Sequence, residues 1–195
     1  MRLNGAFNFK RNYISLVILF AVLFLVGVTV GAFISVKVPQ SEIETFKSNM
    51  KYSAEHFADN PFITAKQSLL SVMVFAVLIW LSGFLSLSVK LITDGIVVIY
   101  KGTLVGYTVG LLSHTYAFTG LGIAAVSILP QYILLLPLMF YLSAKAIQFE
   151  RKNINNKVFY KYFVLFTVSV FVCVVAAVTD AFVTGNLLKL FVLYI

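Results

Sequence analysis

Charge is scarce in this chain. Of its 195 residues only 11% are Asp, Glu, Lys or Arg, against about a quarter in a water-soluble domain, which excludes a soluble globular protein. Cysteine is nearly absent: Cys173 stands alone, so no internal disulfide can form. The two histidines, His56 and His114, are too far apart for metal-ligand spacing, and no metal or other cofactor is expected. The net charge of +8 comes without any basic run interleaved with aromatics, which argues against nucleic acid as a partner.

What is present is a series of long apolar runs, with 61% of residues hydrophobic. A membrane-spanning helix needs about 20 apolar residues, whereas a β-barrel strand needs about ten in strict alternation. The runs favour helices: 13–36, 67–89, 91–112, 117–147 and 162–183. The fold class expected is therefore all-α, a polytopic transmembrane bundle of five spans in one membrane domain covering 1–195. The first run is longer than a signal-peptide core and lacks a following small-x-small cleavage site, so it reads as a retained span.

Orientation follows from the basic residues, because cytoplasmic loops carry the excess. Arg2, Lys10, Arg11, Lys90, Lys145, Arg151, Lys152, Lys157 and Lys161 fall on one side of the predicted spans. Lys37, Lys47, Lys51, Lys66 and Lys189 fall on the other. The N-terminus is placed inside and the C-terminus outside, in a multi-pass protein of a cell membrane.

The loop 37–66 is the one sizeable hydrophilic piece. Ser41 and Glu44 fit a capping box, and Ile43, Phe46, Met50, Ala54 and Phe57 recur at helical spacing before Asn60-Pro61. A short amphipathic helix outside the cytoplasm is expected. Its apolar stripe lies either against the membrane interface and the other spans or, through Ile43, Phe46, Met50 and Phe57, against a partner protein. Residues 186–195 are apolar but too few to span, and an interfacial helix is one placement for them.

Polar and small residues inside the spans are the remaining candidates. Gly95, Gly102, Gly106 and Gly110 share one stripe of the third span. Such a stripe allows close backbone approach, within the subunit, in self-association or with a partner helix. Asp94 and Lys101 lie beside it, about 10 Å apart along the axis. They either reach towards the interface or line a polar pathway. The fourth run, about 46 Å long as a straight helix, exceeds the hydrocarbon core and is expected to kink or break at Pro130 and Pro137, where Gln131 could serve a freed carbonyl. Asp180 closes the last span, where the plainer reading is a carboxylate facing water.

With Gly102-x-x-x-Gly106-x-x-x-Gly110, the segment Ile128-Leu-Pro130-Gln131-Tyr132 ending at Pro137, and Asp180-Ala-Phe-Val-Thr184 on the page, the chain resembles the stage II sporulation protein M family. The likeness extends over most of its length. It departs from many members at Gln131, Tyr132 and Leu135, where those carry His, Gly and a carboxylate. A role needing an ionisable group at those positions is therefore not carried over. The resemblance implies a noncatalytic membrane scaffold that positions peptidoglycan-degrading partners, cell-wall hydrolases, during engulfment in sporulation. Relatives also occur in export, maturation or immunity systems such as circular bacteriocin secretion. A small transporter lined by Asp94 and Lys101 is a further alternative. An enzyme is not expected, since Asp94 and Asp180 fall at opposite faces and no nucleophile, base or ligand set meets at one depth.

Overall fold

A computed structural model describes residues 13–56, 61–149, 156–184 and 186. Most of these residues are helical: α1 (Tyr13–Ser35), α2 (Gln40–His56), α3 (Pro61–Ser82), α4 (Leu87–Gln148) and α5 (Asn156–Thr179), the last closing in a π-helical turn, Asp180–Thr184. Among the described residues four helices are long and apolar enough to cross a membrane: Tyr13–Ser35, Phe62–Ser82, Leu87–Gln148 and Asn156–Val183.

The longest, α4, has 62 residues and would measure about 93 Å if straight, three times a hydrocarbon core of about 30 Å. It does not run straight. Ala117 has φ 50° and ψ −128°, outside the helical region, and a Cβ on Gly120 would collide with the Leu112 carbonyl. The chain doubles back there, so that a first limb, 87–116, and a second, 118–148, lie antiparallel. Lys90 of the first reaches the carbonyls of Ala146 and Phe149 at the end of the second.

The reversal at Ala117 falls at the predicted boundary between the third and fourth runs, one residue past the expected loop. Pro130 and Pro137, where a kink or break was expected within the fourth run, lie inside the second limb, where the dihedral angles stay helical. The predicted short loop at 113–116 is helical, and within it the Ser113 and Thr115 hydroxyls donate back to the Val109 and Leu111 carbonyls. The second predicted span also shifts. Its helix runs 61–82, and the residues predicted to finish it form a turn around Gly83 packed against Tyr162.

Contact pairs fix the directions. Gly27 lies on Gly102 and Ile99, Gly31 on Thr103 and Tyr107, and Gly110 on Ser35, so α1 and the first limb are parallel. Phe75 stacks near Tyr100, Gln131 binds Ser68, and Trp80 stacks on Tyr162. These contacts set α3 antiparallel to the first limb and to α5. One end of the bundle, called inner here, gathers the start of α1, the end of α3, both ends of α4 and the start of α5. The outer end carries α2, the Ala117 reversal and the π-helical turn.

The core is apolar, with Leu16, Phe20, Ile79, Val98, Leu135, Leu142 and Cys173 almost wholly buried. A smaller cluster, Leu112, Ile123 and Ala124, fills the reversal at the outer end. Helix α2 covers that cluster with Phe46 and Met50, while Lys47 lies over the Tyr116 ring at 5.8 Å. Its N-terminus is set by the Pro39 carbonyl, which accepts from the amides of Glu42 and Ile43. Ser41 is therefore inside the helix and the expected capping box does not begin it. Ile43 is buried, so three of the four stripe residues are turned into the fold. Phe57 and residues 187–195 lie outside the described residues.

Candidate functional site

The residues with chemical potential are polar groups buried between the helices, and they form two centres. The inner one gathers around the Gly83 turn. Gly83 is needed there because a Cβ would overlap the Tyr162 hydroxyl, which donates to the Trp80 carbonyl at 2.8 Å. Phe149 stacks on Tyr162 at 4.3 Å and Trp80 packs on Phe166 at 4.5 Å, so an aromatic box surrounds the turn.

Lys90, 3% exposed, enters this box from the first limb. Its ammonium donates to the carbonyls of Ala146, at 3.1 Å, and Phe149. These belong to the last turn of the second limb, whose carbonyls have no partner within the helix. A cation there satisfies them and opposes the negative end of the helix dipole. Four residues on, one turn deeper, Asp94 is fully buried. Among the described residues neither of its oxygens accepts a hydrogen bond. Ser82, Lys90 and Tyr162 lie within electrostatic reach of it, while the Ser82 hydroxyl itself donates to Ile79. Asp94 thus faces the bundle interior and not the interfacial water of the plainer expectation.

The outer centre is built on Lys101, two turns further along the same limb. It is 6% exposed, and its Nζ lies 4.3 Å from the Phe75 ring centroid and 5.8 Å from that of Tyr132. Cation–π contact replaces water as its solvation. Beside it is a cavity of about 10 Å³ bounded by Val72, Leu135, Met139 and Cys173, room for about one water molecule. Tyr132 in turn lies within reach of Asp180, which is half-buried in the π-helical turn. The neighbouring Gln131 donates to Ser68 Oγ at 2.8 Å, joining the second limb to α3; it does not serve a proline-freed carbonyl.

The structure therefore brings Lys101, Gln131 and Asp180 into one neighbourhood and leaves Asp94 in another. No group of three or more metal-ligating side chains forms among the described residues. The expected glycine face is present but smaller than the stripe. Gly102 and Gly106 meet the α1 backbone, a Cβ on Gly102 falling 3.2 Å from the Gly27 Cα, and Gly110 meets the Ser35 side chain. Gly95 meets only a Leu23 methyl at an ordinary 3.7 Å.

Sequence reasoning missed Lys90, Trp80, Tyr162 and Phe149, and took Lys90 for a loop cation. It also missed Gly27 and Gly31, the α1 half of the glycine interface, although their spacing of four carries the same signal.

A family model described as stage II sporulation protein M matches residues 20–185. Neither curated proteins nor solved structures give a match.

Proposed function

Because this chain belongs to the stage II sporulation protein M family, we propose that it is a noncatalytic membrane scaffold that positions peptidoglycan-degrading partners during engulfment. The observation carrying this reading is what the buried polar side chains are attached to. Lys90 ties the two limbs of α4 together through carbonyls, Gln131 ties the second limb to α3, and Lys101 is closed over by Phe75 and Tyr132. Each is engaged in holding helix to helix, which suits a rigid platform better than a moving carrier.

The glycine face and most of the α2 stripe are likewise occupied within the subunit. Partner contact then belongs to lipid-facing aromatics such as Phe33 on α1 and Phe163 and Phe171 on α5, all exposed. Photo-crosslinking from these three positions in native cells tests the proposal. Recovery of a cell-wall hydrolase supports it; recovery of an export ATPase or a bacteriocin precursor without a hydrolase sinks it.

One observation favours the transport alternative: the buried carboxylate of Asp94, whose oxygens find no hydrogen-bond partner among the described residues. If it binds a travelling cation or proton, Asp94→Asn abolishes transport at unchanged protein level. Under the scaffold reading the same variant leaves hydrolase recovery intact.

A further inference from the structure

We propose that the groove between the inner ends of the second α4 limb and α5 binds an anionic phospholipid, its phosphate held by Lys145 and Lys161 and an acyl chain lying along Leu165 and Val168. The groove encloses about 560 Å³. Its two walls are helical stripes: Tyr141, Lys145 and Gln148 on the limb, and Lys161, Leu165 and Val168 on α5. Spacings of three and four put each set on one face.

Depth sorts the lining by polarity. The stack of Phe149 on Tyr162 fixes the register of the two helices. Lys161 immediately precedes Tyr162, and Lys145 lies one turn deeper than Phe149, about 6 Å. A lysine stem lets that ammonium rise towards the interface. Its position is marked by the rings of Tyr13 and Tyr141, whose centroids lie 5.3 and 5.7 Å from Nζ. Beyond the lysines the α5 wall is Leu165 and Val168, with no further charge. The groove is thus cationic at its mouth and apolar at its depth, which is the profile of an amphiphile.

No carboxylate lines the groove among the described residues, so none of these supplies the two lysines with a counter-ion. A lipid phosphate supplies one, and basic pockets between spans are known hosts for such headgroups. An acidic peptide would match the lysines but would carry unsatisfied backbone groups into the apolar depth. Free phosphate would leave that depth empty. The inference stands on the groove alone, independent of the scaffold reading.

The test is native mass spectrometry of the full chain in mild detergent, titrated with phosphatidylglycerol or phosphatidylcholine of identical acyl chains. The expected result is phosphatidylglycerol binding roughly tenfold to thirtyfold tighter. The preference should disappear in Lys145→Gln/Lys161→Gln and persist in Lys37→Gln/Lys66→Gln, whose lysines belong to the outer end. Should the first double variant fail to fold, Lys161→Gln alone, altering an exposed side chain, should lower the preference at least about threefold. Equal retention of both lipids by the unaltered chain overturns the proposal, as does a preference that survives the lysine substitutions. Displacement of the lipid by equimolar glycerol phosphate, or by an acidic peptide, also overturns it, because the apolar half of the groove would then contribute nothing.

Discussion

Lys90 and Lys101 are buried on the same helix, yet their surroundings predict opposite responses to the same substitution. Lys90 donates to two end-of-helix carbonyls. Replacing it by methionine leaves those acceptors buried and unpaired, and Lys90→Met is expected to lower stability by about 2 to 4 kcal/mol. Lys101 makes aromatic contacts and, among the described residues, no ion pair. Methionine keeps its volume and removes the cost of burying a charge, so Lys101→Met is expected to stay within about 1 kcal/mol of the unaltered chain. Denaturant unfolding in detergent micelles compares the two, and equal losses would contradict the roles assigned to them. Ala117 is the other informative residue. Its φ of 50° with ψ −128° matches the first central position of a type II′ turn, where glycine is favoured. Ala117→Gly should raise stability by about 1 kcal/mol, read in the same unfolding experiment.

At the scale of elements, α1 and the first limb of α4 meet backbone to backbone. In lipid, apolar burial contributes little to association, and close packing must supply it. A Cβ on Gly106 would overlap the Val28 backbone, where no side chain can swing aside. Gly106→Val should therefore cost about 3 kcal/mol or abolish folding, whereas Gly95→Ala, opposite a movable Leu23 methyl, should change stability by less than about 0.5 kcal/mol. Protein level in the membrane and the unfolding midpoint distinguish them. The stripe was legible from the spacing of its glycines; that Gly95 is only a loose member was not, because spacing gives a face and not the distance of the neighbour across it. Proline is the visible helix breaker in sequence, but at Pro130 and Pro137 the dihedral angles stay helical, while the reversal between the third and fourth runs rests on Ala117, a strained position that its residue type does not announce.

For the whole molecule, the alternating directions of α1, α3, the two limbs and α5 give five passes if each limb of α4 crosses the bilayer. Cys173 is buried, so replacing it by alanine gives a background for topology mapping. In that background Ser48→Cys on α2 should react with an impermeant maleimide added outside intact cells, and Lys157→Cys should react only after permeabilisation. The reverse pattern would invert the orientation, and labelling of both from outside would exclude an odd number of passes between them.

Composition and run length alone determined that this is a membrane-embedded helical protein, because a segment without charges has no stable place in water and the bilayer requires its backbone bonds to close within each helix. The glycine stripe and the amphipathic character of α2 were fixed at the same level, being properties of a single helix. Which side chains meet was decided only by tertiary structure. Lys90 became a clamp on a helix end 56 residues away, Lys101 came under Phe75 and Tyr132, and Asp180 approached Tyr132. Those pairings depend on how far the chain runs before it turns back, and in α4 that is set by one strained residue whose effect is felt only when both limbs are packed.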